Sequence, residues 1–270
     1  MGSLAGGEGL PSGVPVLAPL GDNQAAFLGA VRDVEGMALL NVGTGGQLSA
    51  WLPGGTAVRG AGRAEGSASR PSAGLEVRPF PGGGLLLVGA TLCAGKAYAL
   101  LEEFFRAVLG TFGGQAPGAL YERMNELAEG SPAAAGEDPR VNTRFNGTRR
   151  DPGLRGAIEG IGLQNLTPAA LVRGFLAGIA GELHGYFAVL NRLRDKPLRG
   201  LAASGNALRL NPALRREFER RFGMRLQVPA LREEAALGAA LAAAVGLGGY
   251  PGFRQAGQFV QYEGEEAPNG

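Results

Sequence analysis

The sequence predicts an α/β fold in which a mixed β-sheet is flanked by helices. Two observations support this prediction. Several short apolar runs, separated by Gly-rich turns, follow one another between residues 37 and 88 and are typical of strands joined as hairpins. Farther along the chain, short apolar runs alternate with segments of helical periodicity, which indicates a lobe with a mixed sheet rather than a doubly wound one.

The strands are recognised as apolar runs bounded by Gly and Pro. The first is interpreted as a buried strand that ends at Gly21 and Asp22. The second and third are joined by a tight Gly-Thr-Gly-Gly turn, which is typical of a hairpin connection. Strands are predicted at residues 14–20, 37–42, 47–52, 75–80, 85–88, 200–204 and 226–228.

The helices are recognised by apolar residues at helical spacing. The clearest one begins at Thr167 and Pro168, because Thr is a good N-cap and Pro suits the first turn. Exposed loops are predicted at residues 54–74 and 130–151. Helices are predicted at residues 23–30, 98–109, 120–128, 168–187, 212–222 and 233–245.

Composition argues against nucleic-acid and membrane partners. The formal net charge is +2, which gives no strong field for nucleic acid or for an anionic membrane. The longest apolar segment, residues 235–245, is too short to span a bilayer. A single cysteine, Cys93, fits a reducing compartment, and the N-terminus lacks a secretory signal pattern. We therefore expect a cytoplasmic protein with no membrane contact.

Two groups of residues are interpreted as structural. His184, the only histidine, lies within a helical pattern. Arg149, Arg150 and Arg155 are interpreted as a solvated, partly paired loop rather than as a phosphate-binding patch. The expected layout is a flexible segment over residues 1–13, one domain over 14–250, and a polar tail over 251–270.

Three Gly-centred junctions could carry chemistry. Asp22 follows the first predicted strand, where a carboxylate could accept a proton in phosphoryl transfer, although its local sequence alone favours a cap of the next helix. The turn at residues 43–46 could bring backbone N–H groups and a Thr hydroxyl close to a phosphate, or it could be a hairpin without a ligand. The turn at residues 204–206 could lie against an adenine or a ribose, or it could only join a strand to a helix.

Taken in order, these segments resemble the C-terminal half of the FGGY carbohydrate kinases, which belong to the actin and hexokinase superfamily of ATPases. The Gly-Asp-Asn-Gln-Ala-Ala segment at residues 21–26 is similar to the family's catalytic-aspartate motif. The Pro-Ala-Leu-Arg-Glu-Glu-Ala-Ala-Leu-Gly-Ala-Ala segment at 229–240 is similar to the family's closing helix. Residues 144–156 are similar to the loop before its long helix, most of all in the sedoheptulose kinases, with xylulose and glycerol kinases as further likenesses.

The resemblance implies an actin-like ATPase lobe, related to ribonuclease H, that uses ATP and Mg²⁺ to phosphorylate a ketose such as sedoheptulose. It makes Asp22 the catalytic base and places Asn23 and Gln24 beside the sugar. The implied nucleotide contacts are Gly43, Thr44, Gly45, Gly95, Ser204, Gly205, Asn206 and Asn211.

Full members of the family carry an N-terminal lobe with an Asp-Gly-Thr phosphate hairpin and most of the sugar-binding residues. The first family element recognised here, Asp22, belongs to the second lobe. Three hypotheses stay open: a kinase lobe that acts with a separate N-terminal lobe or as a homodimer, a non-catalytic nucleotide-binding lobe, and a truncated inactive fragment. We expect little sugar kinase activity from this chain by itself.

Overall fold

The computed structural model describes residues 2–3, 5–6, 9, 11–54, 74–115, 118–130 and 138–265. The strands are β1 (Gly2–Ser3), β2 (Pro15–Val16), β3 (Met37–Val42), β4 (Gly46–Leu52), β5 (Glu76–Pro79), β6 (Leu85–Thr91), β7 (Arg140–Asn142), β8 (Ala157–Glu159), β9 (Gly200–Ser204) and β10 (Leu226–Gln227). The helices are α1 (Asp22–Ala30), α2 (Gly95–Thr111), α3 (Tyr121–Gly130), α4 (Pro168–Arg192), α5 (Asn206–Leu210), α6 (Pro212–Phe222), α7 (Glu234–Gly246) and α8 (Phe253–Ala256), the last followed by a 3₁₀ turn.

The central sheet has six strands in the order β10-β9-β3-β4-β6-β5. Strands β10, β9 and β3 run parallel to one another, whereas β3, β4, β6 and β5 pair antiparallel. The sheet is therefore mixed, as the sequence predicts: its hairpins come from the first part of the chain and its parallel strands from the later part.

The sheet separates two apolar layers. One layer contains α4, whose buried Phe175, Ile179 and Leu183 pack against β4 and the helices α2, α3 and α6. The other contains α1 and α7, and Phe27 and Leu241 belong to its core. Helix α4 begins at the predicted N-cap, because the side chain of Thr167 accepts a hydrogen bond from the Ala170 N–H at 3.2 Å.

The prediction of a buried strand at residues 14–20 is wrong. Only Pro15 and Val16 form a strand, which pairs with β1 outside the central sheet, and Val16 is 46% exposed. Pro15 and Pro19 have no N–H group to donate to a ladder, so this segment cannot serve as an interior strand. Asp22 consequently does not follow a buried strand; it is the first residue of α1.

Residues 138–151 are less irregular than predicted, because β7 forms a small antiparallel ladder with β8. Residues 55–73 of the predicted loop at 54–74, and residues 131–137 of the loop at 130–151, lie outside the described residues. So do parts of the predicted N-terminal segment and residues 266–270 of the predicted tail. The described part of that tail packs inward, with Val260 and Tyr262 in the core.

Candidate functional site

Three turns lie together at one end of the central sheet, the end at which β3, β6 and β9 terminate. Parallel pairing places Asn41, near the end of β3, beside Ser204 at the end of β9. Antiparallel pairing places Thr91, the end of β6, opposite Gly46, the start of β4. The turns that follow β3, β6 and β9 therefore lie side by side, at the edge where α/β proteins bind their ligands.

The turn between β3 and β4 is joined directly to the start of α2. The carbonyl of Gly43 accepts the Gly95 N–H at 3.0 Å, and the carbonyl of Thr44 accepts the N–H groups of Ala94 and Lys96 at 3.0 and 3.1 Å. These bonds use the first free N–H groups of the helix, so the Gly95 amide is not available to a phosphate. Thr44 itself is exposed.

Glycine is required where the segments touch. A Cβ on Gly95 would lie 2.4 Å from the Gly43 oxygen, and a Cβ on Gly205 would lie 2.4 Å from the Val42 oxygen. Gly205 also has φ +93°, a backbone conformation that side chains disfavour. The backbones of neighbouring segments therefore touch at Gly95 and at Gly205, which leaves no room for a larger residue at either position.

The predicted adenosine segment divides into buried and exposed residues. Ser204 is buried and its hydroxyl donates to Glu234 Oε1 at 2.9 Å. Asn211 is also buried, and its Oδ1 caps α6 by accepting the Leu214 N–H at 2.8 Å. The side chains of Ser204 and Asn211 thus stabilise the fold of the loop, whereas Asn206 is exposed.

Glu234, a functional-site neighbour that sequence reasoning missed, holds this loop. Its Oε1 accepts hydrogen bonds from Ser204 and, at 2.9 Å, from Arg209. Arg209 also donates to the Pro229 carbonyl at 2.9 Å. The only signal in the sequence is an acidic pair before an Ala-rich helix, which indicates a helix N-terminus rather than a buried ion pair.

Asp22 lies at the exposed N-terminus of α1. Its Oδ1 accepts the Asn23 N–H at 2.7 Å, and Gly21 rather than Asp22 is the N-cap residue. Asn23 is buried and donates to Gln47 Oε1 at 2.8 Å, and Gln24 donates to the Pro79 carbonyl at 3.3 Å. The Asn23 bond attaches the start of α1 to Gln47, the second residue of β4, whereas the Gln24 bond reaches Pro79 of β5, which pairs with Leu85 at the start of β6. The start of α1 thus lies beside the strand that follows the 43–45 turn.

The residues present suit a phosphate-bound divalent ion better than a protein-bound one. Among the described residues, no three His, Cys, Asp or Glu side chains cluster in a way that could hold a metal. Mg²⁺ is commonly held by one or two carboxylates together with substrate phosphates and water, and Asp22 is an exposed carboxylate at the start of α1. Within the part of the chain that the structure describes, no helix is both long and apolar enough to cross a membrane.

Solved structures share this fold. A xylulose kinase from Rhodospirillum rubrum matches with a TM-score of 0.73 and 24% identity over 97% of this chain and 48% of its own. A gluconate kinase from Lactobacillus acidophilus matches with a TM-score of 0.70, 19% identity and coverage of 92% and 46%. Plasmodium falciparum glycerol kinase, solved with ADP, matches with a TM-score of 0.66, 18% identity and coverage of 92% and 46%. The chain thus spans less than half the length of these structures.

No curated protein matches the sequence significantly, but a family model does. The model described as "FGGY family of carbohydrate kinases, C-terminal domain" matches residues 66–247, which is more than half of the chain. The matched range includes Gly95, Gly205 and the α7 helix but begins after Asp22 and the 43–45 turn, which only the structural matches cover. The chain therefore belongs to the FGGY family of carbohydrate kinases and contains its C-terminal domain.

Proposed function

We propose that this chain is the nucleotide-binding lobe of an ATP-dependent sugar kinase, which transfers the γ-phosphate of Mg-ATP to a hydroxyl of a ketose such as sedoheptulose. The observation that carries the proposal is that three Gly-lined turns lie together at one end of the sheet, and that Asn23, next to the exposed Asp22, is bonded to Gln47 near the same end. Such an edge offers backbone contacts to a nucleotide and a proton acceptor to an alcohol.

In this proposal the nucleotide is held mainly by backbone. Thr44 and Gly45 contact phosphate oxygens, and the exposed Thr44 hydroxyl is the side-chain donor between them. Gly43 supports the turn, because its N–H donates to the Gly45 carbonyl and its carbonyl accepts the Gly95 N–H. Gly205 and Asn206 lie against the adenosine. Gly95, Ser204 and Asn211 act indirectly, because the Gly95 amide and both side chains already bond within the protein.

Asp22 is proposed as the base that accepts the proton of the sugar hydroxyl as it attacks. Gln24 is partly buried beside Asp22 and is proposed to face the sugar. Asn23 is buried, so its proposed role is to fix the start of α1 through Gln47. A magnesium ion bound to the nucleotide would neutralise developing phosphate charge.

Catalysis of this kind depends on positioning, and a single lobe positions only one of the two reactants. The chain covers 40–48% of the xylulose, gluconate and glycerol kinase structures it matches. We therefore propose that phosphoryl transfer to the sugar requires an N-terminal kinase lobe, and that a chain without one is a weak nucleotide binder. A homodimer that completes the site is the alternative assembly.

The test separates binding from chemistry. Calorimetry with a non-hydrolysable Mg-ATP analogue should detect binding to the chain, and Asp22→Asn should leave that binding unchanged. Phosphorylation of sedoheptulose or xylulose, measured after addition of an N-terminal kinase lobe, should fall by about 100-fold or more in the same variant.

Asp33→Asn is the matched control. Asp33 is a partly exposed carboxylate near α1, but it pairs with Arg199 at 2.8 Å beside the start of β9, at the opposite end of the sheet. It should alter neither nucleotide binding nor phosphoryl transfer. Absence of nucleotide binding, or full activity of Asp22→Asn, would refute the proposal.

A further inference from the structure

The start of α2 departs from the pattern that usually stabilises a helix N-terminus. Its N-cap residue is Ala94, whose side chain cannot accept a hydrogen bond from the free N–H groups, and its first turn contains no acidic residue. The second residue of the helix is instead Lys96, a cation at the end where the helix dipole disfavours positive charge. Such departures are expected where a residue serves function rather than local stability.

The turn between β3 and β4 supplies the missing cap through its carbonyl groups. The Thr44 carbonyl accepts the N–H groups of Ala94 and Lys96 at 3.0 and 3.1 Å. The Gly43 carbonyl accepts the N–H of Gly95 at 3.0 Å. These three amides are engaged within the protein, so a phosphate at the turn must find other donors. The same bonds hold the backbone of Lys96 against Thr44, the residue proposed to contact phosphate.

The start of α2 also touches the proposed adenosine segment. A Cβ on Gly95 would lie 3.4 Å from the Cβ of Ala207, which belongs to α5 just after Gly205. Gly95 thus contacts both the turn proposed for phosphate and the segment proposed for adenosine. Lys96 is the next residue in the chain, so its side chain begins beside the proposed nucleotide site.

Two cations belong to the segments that surround this site, Lys96 at the start of α2 and Arg209 in α5. The Arg209 guanidinium is paired with Glu234 at 2.9 Å and with Glu263 at 3.1 Å. Lys96 is exposed, and its ammonium group makes no ion pair with another residue that the structure describes. Its charge is therefore available to a ligand.

A carboxylate near this end of the sheet already has donors of its own. Glu182 of α4 accepts hydrogen bonds from Thr91 at 3.0 Å and from Thr143 at 3.1 Å. Arg144 also contacts Glu182 at 3.4 Å, and the Glu182 side chain is only 8% exposed. Glu182 thus has an arginine as its counter-charge and does not pair with Lys96.

A phosphate chain at the turn would be stabilised by positive charge. Mg-ATP remains an anion, because one metal ion neutralises only part of the phosphate charge. The turn offers the Thr44 hydroxyl and backbone groups, none of which carries a formal charge. The ammonium of Lys96 is a compact charge on a flexible four-carbon stem, a form of cation that proteins use to bind phosphate.

We propose that Lys96 is a nucleotide-binding residue whose ammonium group contacts the phosphate chain of Mg-ATP. The proposal rests on the proposed nucleotide site and adds a charged contact to the hydroxyl and backbone contacts of the turn. It also explains why a lysine occupies the first turn of α2, where the helix dipole opposes it.

Calorimetry on the whole chain compares the non-hydrolysable Mg-ATP analogue, Mg-ADP and adenosine. Lys96→Gln should weaken binding of the analogue about tenfold and leave adenosine binding unchanged. Equal weakening of Mg-ADP identifies the α- or β-phosphate as the contact, and weakening of the analogue alone identifies the γ-phosphate. Unchanged binding of the analogue, or equal weakening of adenosine, overturns the proposal.

Two further variants isolate the charge at this position. Lys96→Arg keeps the positive charge and should recover most of the affinity for the analogue. Lys196→Gln is the matched control, because Lys196 is the other lysine of the chain, is exposed, and precedes the start of β9 at the opposite end of the sheet. It should leave all three affinities unchanged. An effect of Lys196→Gln as large as that of Lys96→Gln would show that only the net charge of the protein matters, and would overturn the site.

Urea unfolding separates a binding role from a structural one. Lys96→Gln removes a cation from the positive end of a helix, so its unfolding midpoint should equal or exceed that of the parent. A lower midpoint together with weaker binding would show that Lys96 supports the fold, and would overturn its assignment to the ligand. Failure of the parent chain to bind the analogue counts against the proposed kinase function, whereas binding that Lys96→Gln retains in full counts against Lys96 alone.

Discussion

Among single residues, buried carboxylates hold the loops around the candidate site. Glu234 joins Ser204 to Arg209, and Glu182 accepts from Thr91 at 3.0 Å at the end of β6. Glu102 of α2 accepts the Leu120 N–H at 3.3 Å before α3. Each of these carboxylates connects two separate segments of the chain.

Glu102 gives a prediction about pH. The hydrogen bond from Arg106 lowers its pKa, against burial, and the Leu120 N–H lowers it further. A carboxyl whose folded pKa lies below its unfolded value stabilises the fold above the unfolded pKa, about 4.3, and loses that contribution as pH falls through the folded pKa. Glu102→Gln should therefore be less stable than the parent at pH 7, with the difference shrinking below about pH 4.

Urea unfolding at several pH values measures this difference. Glu103→Gln is the control, because Glu103 is exposed and makes no ion pair within the described part of the chain. It should match the parent at neutral pH. A Glu102→Gln deficit that stays constant down to pH 3 would show that packing, rather than charge, explains the loss.

The roles of individual site residues could be predicted from the sequence only in part. The Gly-lined turns were recognised because glycine marks close backbone contact in local sequence. The hydrogen bond from Ser204 to Glu234 was not predicted, because the two residues lie 30 positions apart. Asn211 precedes a Pro that begins a helix, so its capping role could have been recognised from that local signal.

Among whole elements, the contact between α1 and α7 is the closest helix pairing near the site. A Cβ on Gly238 would lie 1.8 Å from the Ala25 oxygen, and a Cβ on Gly29 would lie 1.8 Å from the Glu234 oxygen. The two backbones therefore touch. This contact joins the helix that begins at Asp22 to the helix that begins at Glu234 and holds the Ser204 loop.

Gly238→Ala should destabilise the protein by roughly 3 kcal/mol or more, because the clash is with backbone that cannot rotate away. Gly185→Ala in α4 is the control. A Cβ there meets open space, so alanine should stabilise the helix by about 0.5–1 kcal/mol. Urea unfolding measures both changes, and equal effects of the two substitutions would contradict the close contact.

Most elements could be predicted from local patterns: the strands at 37–42 and 200–204 are apolar runs, and the helix at 212–222 begins at a proline after a capping Asn. The prediction of a strand at 14–20 was wrong because this apolar run contains two prolines, which have no N–H group to donate to a strand ladder. The β7–β8 ladder was missed because three-residue strands are too short to show a period.

For the molecule as a whole, the far end of the described chain closes the layer that contains Asp22. Tyr262 is buried, and its hydroxyl donates to the Ala30 carbonyl at 3.1 Å and accepts the Arg32 N–H at 3.1 Å. Arg32 in turn donates to the Val260 carbonyl at 2.9 Å and lies over the Tyr262 ring at 4.8 Å. Residues more than 220 positions apart are thus joined, a contact that local sequence patterns cannot predict.

Tyr262→Phe should lower the free energy of unfolding by about 2 kcal/mol, because it leaves a buried carbonyl and an N–H without their partner. Tyr250→Phe is the control. Tyr250 contacts the Phe259 ring at 5.3 Å, and this variant should lose less than about 0.5 kcal/mol of unfolding free energy.

Because the hydrogen bonds lost in Tyr262→Phe lie at the C-terminal end of α1, the loss of stability should reach the Asp22 end only through global unfolding. Hydrogen exchange tests this: amides of α1 should lose protection by the amount that urea unfolding reports. A loss confined to residues 250–265 would show that this segment packs on the layer without contributing to its cooperative stability.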